Sequence, residues 1–507
     1  MPGPALPPPT GWRLAGAALV AASLAVLAIL AVANGTFYDD EIFTLNLLRD
    51  CPGPAALIAC ANGADVHPPL GYLLDEAVHA ALGSWAAVKL AKGLLMALAA
   101  GWLAWRAGRV LPATAFALLV ALLALDGTLV MWSASLRWYG WFVPLYTLCL
   151  AQVLWGRQGP LASLAWLVLG GVMLFHINYL AVIAVPLLGL AWALRHGPGL
   201  SARQLRLGMV IVAAGLALCL PQAVVMIGVH LQYHGPQSGP LAMSLVQTGL
   251  TVFPGNALAP LTPLALAALT VVALATGLVL WRRTPLPPAL VAILVLGMAA
   301  MIATGLGYRH RNNLFLHLTA VPLVALVLAA LPPRLRVVAA AVVLAASAQG
   351  AINVVRHEGT IKRSYNTPYP AVIATIDGWS RRCPGRVVTD SDIVLGELLR
   401  GRPERAGLDG SGTVMLQPGQ CLIVETGSAA DWWPEAQADW RARLAALPAR
   451  ELAVARFRPE PEAARAARLM GKPMESHAAT LRLLRLTAPA AVPEFGLIDP
   501  SRKLPAR

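Results

Sequence analysis

Residues 13–33, RLAGAALVAASLAVLAILAVA, decide the fold class of this chain. One arginine is the only charge in the run, and about 20 largely apolar residues suffice for a helix to cross the hydrocarbon core of a bilayer. A signal peptide is the other interpretation, because residues 31–33, Ala-Val-Ala, resemble a cleavage site. Both interpretations predict that the acidic segment at residues 38–41, Tyr-Asp-Asp-Glu, lies outside the cytoplasm.

The rest of the chain is also unusually apolar. It has 507 residues, of which 57% are hydrophobic and 13% are charged, whereas a soluble protein has about 25% charged residues. We therefore predict an all-α polytopic membrane protein with about eleven transmembrane helices. The predicted spans are 13–33, 86–105, 111–126, 137–156, 161–177, 179–194, 207–228, 260–281, 288–306, 314–331 and 337–354.

The charge balance predicts two domains. Residues 1–354 contain 17 Lys and Arg but eight acids, whereas residues 355–507 contain 22 basic and 17 acidic residues, as in a soluble domain. We predict a membrane domain at 1–354, with its first external loop at 34–85, and a small extracytoplasmic α/β domain at 355–507. Its predicted strands are 386–390 and 421–425, and its predicted helices are 392–400 and 439–447.

The basic residues predict the orientation of the chain. The net charge of +14 is spread over small clusters between apolar runs, which is unlike a nucleic-acid-binding face. With the N-terminus inside, eleven of the 17 cations in the membrane half fall in cytoplasmic loops, as the positive-inside rule requires. This predicts a multi-pass protein of the bacterial inner membrane with the acidic loop and the C-terminal domain on the periplasmic side.

Four of the six cysteines fall in segments predicted to be external. Cys51 and Cys60 lie in the first external loop, and Cys383 and Cys421 lie in the C-terminal domain. Disulfides form in oxidising compartments, so this distribution suggests the pairs Cys51–Cys60 and Cys383–Cys421.

The acids of the membrane half are concentrated in one place. Seven of the eight lie between residues 39 and 76. Consecutive carboxylates at Asp39, Asp40 and Glu41 repel one another, so at least one should titrate abnormally. Such a carboxylate can take the proton from an attacking hydroxyl group. A solvated acidic loop is the alternative interpretation.

Cations and aromatic residues also gather at the predicted external ends of the spans. Residues 68–69, Pro-Pro, fix an extended turn that holds His67 rigidly, and paired arginines bind phosphate well. A simple helix entry is the alternative interpretation for His67, and interfacial snorkelling is the alternative for the other clusters. No metal-ligand spacing or nucleotide motif is present, so no metal or other cofactor is indicated. The clusters contain His67, Arg137, Tyr139, His176, Tyr179, Tyr308, Arg309 and Arg311.

The pattern resembles the GT-C superfamily of polyprenyl-phosphate-sugar glycosyltransferases, including the protein O-mannosyltransferases and the lipid A aminoarabinose transferase. The resemblance covers residues 10–350. Three features carry it: Asp40-Glu41 after the first span, residues 67–70 (His-Pro-Pro-Leu), and residues 137–139 (Arg-Trp-Tyr). It implies two interfacial helices, at 42–50 and 70–82.

The resemblance also implies a reaction. Sugar would be transferred with inversion from a polyprenyl-phosphate donor, with Asp40 as the general base; the neighbouring Asp39 and Glu41 keep the choice of carboxylate open. His67 would lie near the donor phosphate, and we assign Arg137, Arg309 and Arg311 to the same role. Tyr139, His176, Tyr179 and Tyr308 are the predicted substrate contacts. The acceptor stays open between lipid, polysaccharide and protein, because the C-terminal domain does not match those of the mannosyltransferases.

Two other classes handle similar substrates. A transporter or flippase of lipid-linked saccharides would place ionisable residues at mid-depth in the membrane, preferably beside broken helices. An O-antigen ligase or polymerase would carry its essential Arg and His residues in a large late external loop. In this sequence the ionisable residues lie mostly at span ends, and residues 229–259 form a loop of modest length, so an enzyme of the GT-C type is favoured.

Overall fold

A computed structural model describes residues 7–35, 39–64, 67–232, 241–252, 262–357, 367–389, 393–399, 413–426, 441–458 and 479–493. The chain divides into two compact units. One comprises residues 1–35 and 44–357, and the other comprises residues 36–43 and 358–507. The second unit thus begins three residues after the boundary predicted at 354/355. It also includes the segment 36–43, which we had placed in the first loop of the membrane domain.

Up to His357 the described chain is helical, with irregular connections. Three short 3₁₀ helices lie at Gly197–Gly199, Leu306–Tyr308 and His310–Asn313. The α-helices are α1 (Thr10–Asn34), α2 (Asp39–Asp50), α3 (Pro54–Ala64), α4 (Leu70–Leu82), α5 (Trp85–Ala107), α6 (Ala113–Ala124), α7 (Gly127–Ser133), α8 (Tyr139–Trp155), α9 (Pro160–Ile177), α10 (Ala181–His196), α11 (Ala202–Gln232), α12 (Leu241–Val252), α13 (Pro263–Trp281), α14 (Pro288–Ala303), α15 (Leu314–Ala329) and α16 (Pro333–Arg356).

The structure supports a multi-pass membrane protein, but the prediction of eleven spans is wrong. Among the described residues, eight helices are long and apolar enough to cross a membrane, or nine if α6 and α7 form one broken span. Two predicted spans are too short: α8 has 17 residues and α14 has 16. At 1.5 Å per residue each measures about 25 Å, less than the hydrocarbon core of about 30 Å. Helix number therefore does not fix the side on which the C-terminal unit lies.

Small residues allow the first two long helices to pack closely. A Cβ atom on Gly93 of α5 would lie 2.8 Å from the Ala28 Cβ of α1, and one on Gly101 would lie 2.9 Å from the Ala17 carbonyl oxygen. Such small-residue contacts let helix backbones approach in a membrane, where the hydrophobic effect does not drive association. Helix α15 is buried along most of its length, so it lies in the interior of this unit.

The break between α6 and α7 is a local feature with a clear cause. The two helices meet at an angle of 46°, and the Asp126 side chain caps α7 by accepting a hydrogen bond from the Leu129 amide at 3.2 Å. A carboxylate at this position satisfies an amide that has no partner within the helix. The cap therefore places a carboxylate at the break in an apolar segment.

The first loop contains α2, α3 and α4, so helices are present at both predicted positions, 42–50 and 70–82. Their location at the membrane interface stays a prediction. The predicted disulfide between Cys51 and Cys60 is also confirmed, with an S–S distance of 2.08 Å. It links the end of α2 to α3, and Leu57 packs with Tyr72 of α4 in the same apolar cluster. The three helices are thereby tied together.

The C-terminal unit contains the predicted sheet. Its four-stranded sheet has the order β1-β3-β5-β4, with β1 parallel to β3 and the other pairs antiparallel. Strands β2 and β6 pair separately. The predicted disulfide Cys383–Cys421 is confirmed. The strands are β1 (Gly385–Thr389), β2 (Thr413–Leu416), β3 (Cys421–Thr426), β4 (Ala449–Phe457), β5 (Ala479–Leu486) and β6 (Ala490–Pro493), and helices lie at Tyr369–Arg382 and Ile393–Leu398.

Candidate functional site

Arg137 lies in the irregular connection between α7 and α8 and is buried, with 6% of its surface exposed. One terminal nitrogen, Nη1, donates to the Thr44 hydroxyl at 3.2 Å and to the Tyr72 hydroxyl at 3.5 Å. Thr44 belongs to α2 and Tyr72 to α4, so the guanidinium group joins two of the three helices of the first loop to the start of α8. A buried cation with hydroxyl neighbours is suited to binding an anion.

A buried ion pair supports this connection. Lys92 Nζ of α5 lies 2.5 Å from the Asp75 carboxylate of α4, and both side chains are almost entirely buried. Lys92 Nζ also donates to the Ser135 carbonyl at 3.0 Å and the Arg137 carbonyl at 3.4 Å. On the other side of the pair, the Trp141 indole nitrogen donates to Asp75 at 2.9 Å. The Lys92–Asp75 pair therefore fixes the backbone of residues 135–137, which includes Arg137.

Close packing keeps Lys92 in this position. A Cβ atom on Gly140 would lie 2.7 Å from the Lys92 Cδ atom and 2.8 Å from the Ser133 and Ser135 carbonyl oxygens. Only a residue without a side chain leaves room for the lysine stem at this turn of α8. Gly140 therefore provides the space that the Lys92 side chain occupies.

His67 lies beside the same connection. Its Nδ1 atom is 3.0 Å from the Asn178 side-chain nitrogen, and its ring centroid is 5.7 Å from that of Trp138. Because the Asn178 amide nitrogen is a donor, His67 Nδ1 accepts, which leaves the proton of a neutral ring on Nε2. The Asn178 oxygen accepts from the Leu180 amide at 2.8 Å, which fixes the orientation of Asn178. His67 thus packs near Trp138, the residue that follows Arg137 in the chain. The phosphate-binding role of His67 and Arg137 stays a prediction.

Polar side chains continue the network towards α11. The Gln222 side chain donates to the Tyr179 hydroxyl at 3.2 Å and to the Asn62 side chain at 3.1 Å. His176 Nε2 lies 3.3 Å from the Leu218 carbonyl oxygen. Tyr179 and His176, both predicted substrate contacts, therefore lie between α9 and α11.

Tyr139 is placed differently. Its side chain is fully buried, and its ring makes edge contacts with Trp132 at 4.9 Å and Trp138 at 5.0 Å between ring centroids. These contacts give Tyr139 a packing function at the start of α8. Its predicted contact with substrate stays a prediction.

The acidic segment forms the first turn of α2. The structure starts this helix at Asp39, so the three acids are helical rather than part of a loop. Asp40 is half-buried and Glu41 is fully buried. The side chain of Asp39 and residue Tyr38 lie outside the described part of the chain. In a helix with 100° per residue, Asp40 lies about 40° around the axis from Thr44 and Asp39 about 140°.

Arg309 and Arg311 lie in the segment of 3₁₀ helices between α14 and α15. Described contacts tie this segment to α12: Thr248 donates to the Asn313 side chain at 3.3 Å, and Ser244 donates to the Gly305 carbonyl at 3.0 Å. Arg309 is exposed and Arg311 is half-buried. The side chain of Tyr308 lies outside the description, and the phosphate-binding role of this segment stays a prediction.

A second buried ionisable pair lies between α7 and α15. His317 Nε2 is 2.7 Å from the Asp126 carboxylate, and both side chains are buried. The residues are 191 positions apart in sequence. Asp126 is the eighth acid of the membrane half, and the sequence predicted no role for it or for His317. In the sequence, each of them is a lone ionisable residue in an apolar segment. An ionisable side chain in a membrane has a large free-energy cost, so such residues often have a function.

Other residues of these contacts also had no predicted role. From the sequence, Lys92 is only one of the cations on the predicted outer side, and Asp75 is only one of the seven acids between residues 39 and 76. Thr44, Tyr72 and Gln222 are ordinary polar residues whose involvement depends on helix packing. Among the described residues, no three His, Cys, Asp or Glu side chains are grouped so as to hold a metal ion.

Comparisons with known proteins return no family, no curated protein and no solved structure that matches this chain. The residues and their geometry must therefore carry any assignment of function. What they provide is a set of hydrogen-bonded polar side chains around residues 137–138, in which Arg137 is buried and its backbone is held by the Lys92–Asp75 ion pair. Arg137, Tyr72, Thr44 and the His67–Asn178 pair form this set, which we call the Arg137 network.

Proposed function

We propose that this chain is a membrane glycosyltransferase that moves a sugar from a polyprenyl-phosphate donor to an extracytoplasmic acceptor. One observation carries the proposal: Arg137, which we assign to the donor phosphate, is buried with hydroxyl neighbours on α2 and α4, and His67 packs near the next residue, Trp138. The resemblance of residues 40–41, 67–70 and 137–139 to GT-C enzymes supports the reaction class. The acceptor is a lipid, a polysaccharide or a protein.

The chemistry needs groups of two kinds. The acceptor oxygen attacks the anomeric carbon, and the bond from that carbon to the phosphate oxygen breaks with inversion. Negative charge develops on the departing lipid phosphate, where a buried arginine and a histidine N–H stabilise it. The proton of the acceptor hydroxyl passes to a carboxylate, and no cofactor is consumed.

Asp40 is the carboxylate that we assign as the base. Helical periodicity directs it along the same side of α2 as Thr44, one turn later, and Thr44 binds Arg137. Asp39 is rotated by a further 100° or so around the helix. Glu41 is fully buried, so an acceptor in the aqueous phase would not reach it. These relations favour Asp40 over its two neighbours.

The test compares Asp40→Asn with Asp39→Asn in a strain that lacks the native chain. Both changes remove one negative charge from the same turn, so each controls for the other. We expect Asp40→Asn to lower transfer by about 10²- to 10⁴-fold, the usual contribution of a general base, at equal membrane abundance. Asp39→Asn should keep most activity. Mass spectrometry of envelope glycolipids and polysaccharides gives the readout, and wild-type product levels in both variants would refute the carboxylate-base mechanism.

One observation favours a transporter or flippase of lipid-linked saccharides. The Asp126–His317 pair lies at the break between α6 and α7, and transporters often build their sites at broken helices. Loss of a flippase would leave the sugar lipid on the cytoplasmic leaflet, whereas loss of a transferase would leave it on the outer leaflet. Leaflet-specific labelling in Asp126→Asn and Asp40→Asn strains distinguishes the two functions.

A further inference from the structure

A cluster of arginines lies at the opposite end of α5 from the Arg137 network. Arg106 follows Lys92 by 14 residues, which corresponds to about 21 Å along the helix axis. By the distribution of cations, this is the end that the sequence places on the cytoplasmic side. The arginine cluster comprises Arg13, Arg106, Arg109, Arg157 and Arg195.

Arg106 is the most buried member of the arginine cluster. Only 6% of its surface is exposed, and its Nη2 atom donates to the Gln152 side-chain oxygen at 3.0 Å. Its Nε atom and the Gln152 side-chain nitrogen are buried and have no hydrogen-bond partner within the described structure. Because a buried donor without a partner is costly, these two donors indicate a missing acceptor.

Arg195 is fixed beside them. Its two terminal nitrogens donate to the Val153 carbonyl at 2.7 Å and to the Gly156 carbonyl. Val153 lies in the last turn of α8, as does Gln152, and Gly156 directly follows that helix. The guanidinium groups of Arg106 and Arg195 are thus held against one helix end by different contacts.

The cluster lacks compensating negative charge. Across the described residues, none of its five arginines forms an ion pair with a carboxylate, and Asp126 is the only acid between residues 77 and 354. Burial and then the charges of Arg157 and Arg13 lower the pKa of Arg109. Such mutual repulsion favours the binding of an anion.

An apolar cavity of about 270 Å³ adjoins the cluster. Trp155, Ala191 and Leu290 line it, and Arg195 forms part of its wall. Arg109 lies 3.7 Å from the centroid of the Trp105 ring, and Arg106 lies 5.3 Å from that of Trp102. Tryptophan and arginine together are typical of the depth at which lipid head groups meet acyl chains.

We propose that the arginine cluster and this cavity form a binding site for an anionic phospholipid. The phosphate accepts from Arg106 and Arg195, and an acyl chain occupies the apolar cavity. Free inorganic phosphate would satisfy the donors but would leave the cavity unused. General attraction of surface cations to lipid does not account for Arg106, because snorkelling side chains reach the aqueous phase and this one is buried.

Native mass spectrometry of the full-length protein in a non-ionic detergent tests the proposal. Phosphatidylglycerol and phosphatidylcholine with the same acyl chains are titrated in parallel. We expect phosphatidylglycerol to bind more tightly, and Arg106→Gln to weaken it by about fivefold, as for the loss of one basic residue near a lipid surface. Arg203→Gln removes an exposed cation from α11, at the same end of the membrane unit and outside the cluster, and should leave the affinity unchanged.

Two further measurements identify the ligand that binds in the cavity. Ala289→Phe narrows the cavity and keeps every arginine, so it should weaken phosphatidylglycerol binding. Inorganic phosphate should not displace the lipid at millimolar concentration. Equal affinity for the two lipids, or equal effects of Arg106→Gln and Arg203→Gln, would overturn the proposal. Displacement by inorganic phosphate together with normal binding by Ala289→Phe would overturn the lipid assignment. If Arg106→Gln fails to fold, Arg195→Gln replaces it.

Discussion

Replacing Lys92 by methionine is expected to destabilise the membrane unit by about 3–5 kcal/mol, the usual effect of removing one partner of a buried ion pair. The change leaves the Asp75 carboxylate buried with no cation at 2.5 Å. Methionine keeps approximately the length and the apolar character of the lysine stem. The packing against Gly140 is therefore largely preserved, and the loss reports on the charge.

The structure places this loss in the upper part of the range. Lys92 Nζ also donates to the Ser135 and Arg137 carbonyls, and a buried acceptor that loses its donor costs about 1–3 kcal/mol. Asp75 still accepts from the Trp141 indole, which offsets part of the penalty. A second variant, Lys92→Met with Asp75→Asn, removes the uncompensated charge and keeps an oxygen for Trp141. We expect it to recover at least half of the loss.

The assay is reversible unfolding of the purified protein in detergent, followed by tryptophan fluorescence. Asp75→Asn completes the double-mutant cycle, which isolates the interaction between the two side chains. Arg203→Gln, an exposed cation in the same unit, should change the free energy of unfolding by less than about 0.5 kcal/mol. A loss below about 1 kcal/mol for Lys92→Met, or a double variant no more stable than the single one, would refute the assignment of a buried ion pair.

Two further predictions concern the first loop and the topology. Cys51→Ser with Cys60→Ser should lower the free energy of unfolding by about 2–3 kcal/mol, the loop-entropy estimate for so short a disulfide loop. Calorimetry with and without reductant measures this change. Identical unfolding curves would exclude a stabilising disulfide. An exposed Gln417→Cys, in a background with Cys149 and Cys219 changed to alanine, should react with an impermeant maleimide on intact spheroplasts. Labelling only after lysis would place the C-terminal unit in the cytoplasm.

Local sequence properties predicted the class of protein and much of its organisation. The length of an apolar run, a change in charge balance and the positions of cysteines are all readable without knowing which segments meet. They predicted the helical membrane fold, the C-terminal sheet and both disulfides, whereas the helices at 42–50 and 70–82 were implied by the resemblance to GT-C enzymes. The number of spans was overestimated, because apolar composition does not show that α6 and α7 are bent or that α8 and α14 are short.

The candidate site was predictable only in part. His67 and Arg137 carried recognisable signals, since proline after the histidine and an arginine at the start of an apolar segment are unusual. The contact of His67 with Trp138, and those of Arg137 with Thr44 and Tyr72, depend on how the first loop packs against the start of α8. Thr44 and Tyr72 carry no signal at all, because a hydroxyl residue in a helix is ordinary until a buried cation lies beside it.

The sequence by itself determined that this chain is a multi-pass membrane protein with a separate C-terminal unit that contains a sheet, because apolar length and charge density are local properties of the chain. Only the tertiary structure decided which buried ionisable side chains pair with one another. Lys92 pairs with Asp75, and Asp126 pairs with His317 across 191 residues. Burying an ionisable side chain in an apolar interior costs free energy. Helix packing determines which partner lies beside it and offsets that cost. The same packing gathers the Arg137 network at one end of α5 and the arginine cluster at the other.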